Sequence, residues 1–238
     1  MGMFIREDSG YDESVRQTGF NRYKQLLGIR FGQWWKVNLL TLLGCLPLVA
    51  GIVYSIGVSS VLVLLPCSVL GGMIAGPFLA ALYDAILRGL RDDPMPWKDA
   101  YARAWKQNWR GSLIPGAILG LMSGLYAFMA MLFWWAETPP SLGTLLLYLF
   151  SLLLLLVLCT LYWPQLVLFR QSPAIRLRNC VLFCVKHFWR VMGTGLLQLA
   201  YIAVLVLFAF LVQLLIYDQM DEALQIEKQF NGNINSLM

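Results

Sequence analysis

Charge is what this chain has least of, and histidine it nearly lacks. Only 13% of its 238 residues are Asp, Glu, Lys or Arg, about half the share found in a soluble globular domain, while 59% are hydrophobic. Water is therefore not the solvent for most of its surface. His187 is the only histidine, which leaves no pair for a His-x3-His zinc site and no histidine elsewhere to serve as a base or triad member. A Walker A loop, a dinucleotide-binding glycine pattern and paired acids on an apolar run are also missing. These gaps predict a protein that is not an enzyme and has neither cofactor nor metal. Cys180, Cys184 and His187 stand at i, i+4 and i+7 but lack a fourth ligand, so the two thiols read as apolar filling. Cys45, Cys67 and Cys159 fall inside apolar runs, and no disulfide framework is expected.

Charge is also missing locally. No Asp, Glu, Lys or Arg interrupts Val37 to Tyr83, Gly111 to Ala136, Thr138 to Phe169 or Val191 to Tyr217. A spanning helix needs roughly 20 apolar residues, and the first stretch, 47 residues long, must hold two, with a turn near Gly57 to Ser60. The chain is expected to be an all-α, polytopic membrane helix bundle with five spans, near residues 37–57, 61–88, 111–135, 142–169 and 191–217. One integral membrane domain covers 20–217, residues 1–19 form a flexible N-terminal segment, and 218–238 form a polar tail. Residues 1–36 hold no signal-peptide core, so the first span is expected to insert the chain itself.

Seventeen of the eighteen lysines and arginines cluster at Arg6 to Lys36, Arg88 to Arg110 and Arg170 to Arg190. The opposite flanks carry Glu137, Asp218, Asp221, Glu222, Glu227 and the remaining cation, Lys228. The positive-inside rule then places the N-terminus and all three clusters in the cytoplasm and the C-terminal tail outside. A net charge of +5 distributed beside spans faces an anionic leaflet, so a nucleic-acid partner is not expected and the lipid bilayer is.

Each cluster repeats its hydrophobic residues at helical spacing and reads as an interfacial amphipathic helix, giving two or three such cytoplasmic helices. The middle one places Trp97, Tyr101, Trp105 and Trp109 four residues apart beside Lys98, Lys106 and Arg110. The first uses Phe20, Tyr23, Leu27, Phe31 and Trp34. In the third, Ile175, Leu177, Val181, Val185 and Phe188 alternate with Arg176, Arg178 and Lys186, and Ser172-Pro173 supplies an N-cap and first-turn proline. Their ends, Trp34-Trp35-Lys36-Val37, Asn108-Trp109-Arg110-Gly111 and Phe188-Trp189-Arg190-Val191, share a pattern that fits a loose internal repeat or convergence on interfacial residues. Trp97, Tyr101, Trp105, Trp109, Lys98, Lys106, Arg110, Trp189 and Arg190 form the candidate lipid or partner surface.

Glycines recur every four residues at Gly72 and Gly76 and again at Gly116, Gly120 and Gly124. These small-xxx-small registers let helices approach closely, and with Pro77 they are the candidate helix-packing or partner interface. Pro77 should bend its helix. Asn38, Gln165, Gln198 and Gln213 are neutral polar residues that could line a path but are better suited to bonding between helices. Asp84 precedes Arg88 by four, the spacing of an ion pair on a helix surface.

Three segments together resemble the YesL-like family of bacterial integral membrane proteins, whose members are of uncharacterised function. Gly76-Pro77-Phe78-Leu79-Ala80-Ala81-Leu82-Tyr83 resembles its Gly-Pro-Ala-x-x-Ala-Leu-Tyr run, although Phe78 stands where the family has a small residue. Trp97 to Arg110 resembles its aromatic, lysine-rich helix, and Asn38-Leu39-Leu40 through Cys45-Leu46-Pro47 its first span. The resemblance covers roughly residues 20 to 215. It implies a bacterial cytoplasmic membrane and an accessory or assembly role beside a carbohydrate ABC transporter, with that transporter, another membrane protein or a second copy as partner; it assigns no site residues. The rival expectations are a small transporter or channel for a neutral or lipid-like solute, and a lipid-binding or membrane-shaping protein.

Overall fold

The protein is an all-α helical bundle, seen in a computed structural model that describes residues 19–91, 93 and 96–235. Six helices follow one another: α1 (Gly19–Gly57), α2 (Val61–Leu90), α3 (Trp97–Trp135), α4 (Leu142–Leu168), α5 (Pro173–Lys186) and α6 (Phe188–Asn235). All but α5 contain a segment long and apolar enough to cross a membrane. In lipid every backbone polar group must find its partner within the chain, which helices achieve locally. The expected N-terminal segment lies outside the described residues apart from Gly19.

Two of the three amphipathic segments are not separate elements. The first runs without interruption into its span within α1, and the second does so within α3. Neither junction, at Lys36-Val37 or Arg110-Gly111, contains a helix-breaking proline, so the hydrogen-bond ladder continues across it. The third is a helix of its own, α5, separated from α6 at His187. Helix α6 continues past Tyr217, through the residues read from sequence as a tail, to Asn235.

The turn between α1 and α2 falls where the sequence places it. Gly57 closes α1, but the residue with the left-handed backbone is Ser59, at φ 54°. Ser60 N–H donates to the Ser55 carbonyl at 3.2 Å and Ser59 N–H to that of Ile56 at 2.9 Å, the pair of bonds that ends a helix in a Schellman motif. Helix α2 remains one element through both Pro66 and Pro77.

The described residues divide into two compact units at Lys186-His187. In the first, α2 is central and touches α1, α3 and α4, while α5 touches α4. Helices α2 and α3 meet backbone to backbone. A methyl group placed on Gly72 would lie 2.7 Å from Gly120 Cα, and one on Gly76 would lie 3.2 Å from Gly116 Cα. Ser68 and Ser112 extend the two glycine registers, which therefore interdigitate antiparallel as one seam. On the other side of α2, Gly71 abuts Leu48 and Gly44 abuts the Phe78 ring, both from or toward α1. Two side-chain cores form around the C-terminal half of α2. One gathers Val37, Ala81, Tyr101 and Ala104, and the other joins Ala80 of α2 to Trp163 and Leu166 of α4. The second unit contains α6, whose spanning segment is Phe188–Gln213.

Candidate functional site at the basic end of the bundle

The polar chemistry of the first unit concentrates where α1, α2 and the start of α3 converge. Asp84 sits near the end of α2 and is only 8% exposed. Its carboxylate accepts from Arg88 Nε at 2.7 Å, and Arg88 Nη1 donates to Asp93 Oδ2 at 2.9 Å. Asp93 is held in turn, because its N–H donates to the Arg88 carbonyl at 3.1 Å and its own carbonyl accepts from Arg30 of α1 at 3.3 Å. The i, i+4 pair read from the sequence is thus present, but within the bundle rather than on an open helix surface. A charge removed from water is tolerated only with such partners. A small cavity of about 20 Å³ adjoins the cluster, lined among others by Gln33, Trp34 and Trp97, and holds one water at most. Gly89 permits the fit: a methyl there would stand 3.0 Å from Trp34 Nε1.

The aromatic stripe of α3 splits between inside and outside. Tyr101 is buried, at 5% exposure. Its hydroxyl lies 3.1 Å from Thr41 Oγ1 of α1 and donates to the Phe78 carbonyl of α2 at 3.5 Å, so one side chain ties three helices. Trp97 is half-buried against the same core, whereas Trp105 and Trp109 are exposed at 36% and 40%. Trp105 meets the Phe78 ring edge-on at 6.2 Å between centroids. Lys98, Lys106 and Arg110 are exposed, with Lys98 over the Trp97 ring and Arg110 over the Trp109 ring at 5.7 and 5.4 Å. The outward surface thus keeps Trp105, Trp109 and the three cations but not Tyr101. In the second unit, Trp189 and Arg190 are exposed. Gly72, Gly76, Pro77, Gly116, Gly120 and Gly124 are all buried, and the glycines form the α2–α3 seam.

No family model, curated protein or solved structure matches this chain.

Hydroxyls in the spans are mostly turned back onto their own helices. Thr41, Ser55, Ser68 and Thr160 each donate to the carbonyl four residues earlier, at 2.6–2.9 Å. Asn38 likewise bonds the Trp34 carbonyl at 2.8 Å rather than a neighbouring helix. This habit satisfies a polar group in lipid without a second helix, and it leaves those groups unavailable to a solute. Gln165 of α4 does reach another helix, donating to Cys180 Sγ of α5 at 3.3 Å. Burial pushes the Cys180 thiol up to about 11, with the neighbouring Cys184 adding to it.

Sequence reading did not find the groove between α3 and α4. It has a volume of about 300 Å³ and is lined by Met122, Met129, Phe133, Leu147, Tyr148 and neighbouring residues. Its polar groups are already engaged: Tyr148 donates to the Tyr126 carbonyl at 3.0 Å and Ser151 to the Tyr148 carbonyl at 2.9 Å. Asp93 and Arg30 were also not foreseen as partners, since they are 63 residues apart and no local period links them.

Proposed function

We propose that the chain is a non-enzymatic accessory or assembly subunit of the bacterial cytoplasmic membrane that works in contact with another membrane protein. The observation that carries this reading is the treatment of polar groups in the bundle. Backbone contact closes the α2–α3 seam, and the span hydroxyls of α1, α2 and α4 bond to their own helices, so most of the chemistry needed to recognise a polar solute is already committed, Gln165 Oε1 being the one buried span acceptor without a partner among the described residues. What remains for recognition is outward: the basic, tryptophan-bearing start of α3 and the exposed apolar faces of α1 and α4. The resemblance of Gly76 to Tyr83 and of Trp97 to Arg110 to the YesL-like family supports a carbohydrate ABC transporter as the partner.

Affinity purification of the full chain in mild detergent should recover a second membrane protein in stoichiometric amount. Repeated recovery of the chain alone would overturn the proposal. The basic ends are assigned to the cytoplasm by the positive-inside rule, and a periplasm-dependent reporter fused to the C-terminus should be active. The α3–α4 groove favours a second reading, a binding path for a lipid-like solute, because its apolar lining and engaged polar groups suit an acyl chain. Filling it with Ser151→Phe should then displace co-purifying lipid, and unchanged lipid content would remove this alternative.

A further inference from the structure

Helix α5 carries cations with no acid to balance them. From Thr138 to Tyr217 the sequence contains no Asp or Glu, yet Arg170, Arg176, Arg178 and Lys186 lie on α5 or immediately before it. The Arg88 to Arg110 segment differs, since Arg88 is paired with both Asp84 and Asp93. Among the described residues no ion pair reaches the four cations of the α5 region, and Arg176 Nε is buried without a hydrogen-bond partner. An orphaned guanidinium donor is costly to keep; this Nε is itself closed to a ligand, and it is the acid-free surroundings of the four cations that call for an anion from outside the chain.

The apolar side of α5 is equally incomplete. At about 100° per residue, Cys180, Cys184, Leu177, Val181 and Val185 form one continuous apolar arc, with Arg176 at one border and Arg178 at the other. Only Cys180 is fully covered. Leu177, Val181 and Val185 stay 52%, 50% and 73% exposed. The location of the helix suggests what covers them. Helix α4 has 27 residues, about 40 Å at 1.5 Å per residue, enough to cross a hydrocarbon core of roughly 30 Å. Its end at Leu168 therefore reaches headgroup level, and α5 begins at Pro173.

We propose that α5 is a docking surface for anionic phospholipid. The headgroup phosphates are held by Arg170, Arg176, Arg178 and Lys186, and the Leu177–Val181–Val185 line enters the boundary of the acyl chains. Arginine suits this role because its planar fork meets phosphate oxygens in pairs. A lone cation near such a surface is worth about fivefold in binding.

The test is native mass spectrometry of the full chain, delipidated in mild detergent and titrated with dioleoyl-phosphatidylglycerol or dioleoyl-phosphatidylcholine. Wild type should retain the anionic lipid in preference to the zwitterionic one. The variant R170Q/R176Q/R178Q/K186Q should reduce that preference by several hundredfold when the four contributions combine, at about fivefold each. A larger loss from K98Q/K106Q/R110Q than from the α5 variant would overturn the assignment to α5. Equal retention of the two lipids by wild type would also overturn it and would favour an acidic polypeptide as the occupant. Should the α5 variant fail to fold, wild type itself decides. Its phosphatidylglycerol binding must weaken steeply from 50 to 500 mM salt while phosphatidylcholine binding does not, and a salt-independent preference refutes the proposal.

Discussion

Gly72→Ala is the sharpest test of how this bundle holds together. A methyl group at that position would run into the Gly116 carbonyl oxygen and lie 2.7 Å from Gly120 Cα and 2.9 Å from Gly120 N. Carbon atoms rest comfortably at about 3.5–4.0 Å, so α2 and α3 must part locally by about 1 Å, which forfeits a quarter to a half of each affected contact's dispersion attraction. The obstructing atoms are backbone and cannot rotate aside. Overpacking of this kind costs roughly 1–3 kcal/mol, and in lipid no hydrophobic drive closes the gap again; we expect the upper half of that range. Gly32→Ala is the matched control, with no atom within 4 Å of the added methyl, and should gain about 0.5–1 kcal/mol from lower unfolded-chain entropy. Reversible unfolding in mixed micelles with increasing SDS, followed by circular dichroism, measures both. Because Gly72 and Gly120 face each other, one opening accommodates both methyls, and G72A/G120A should cost less than the sum of the single changes by about 1 kcal/mol. A Gly72→Ala protein as stable as Gly32→Ala would refute the backbone seam.

Three further outcomes follow from the structure. Arg88→Gln leaves the Asp84 carboxylate, 8% exposed, without its partner. The expected loss in the same assay is about 2 kcal/mol, between the values for exposed and fully buried pairs, and adding Asp84→Asn should restore most of it. Tyr101→Phe deletes the hydroxyl shared by Thr41 and Phe78 and should cost about 1 kcal/mol, with a double-mutant cycle against Thr41→Val giving a coupling near 0.6 kcal/mol. The Cys180 thiol, raised from 9.0 to about 11, is favoured neutral in the folded state. Its contribution is complete below pH 9 and falls away as pH rises towards 11, so Cys180→Ala should make alkaline destabilisation shallower. An equally steep decline in the variant would count against that burial.

Much of this architecture is legible one segment at a time. Absence of charge delimits the spans, the 47-residue run requires a turn near Ser59, and four-residue recurrence exposes the two glycine registers and the Asp84–Arg88 pair. These features depend on helical period and lipid solvation, which act within a segment and are set by sequence alone. Partner choice is different, because it depends on which helix faces lie together across long stretches of chain. That Gly72 meets Gly120, that Tyr101 leaves its aromatic stripe to join Thr41, and that Arg30 holds the Asp93 carbonyl were decided by tertiary structure. The sequence by itself determined five apolar spans and the cations beside them. Only the packing decided which small residues became a seam and which cations found a carboxylate, since close approach and desolvation are properties of paired helices.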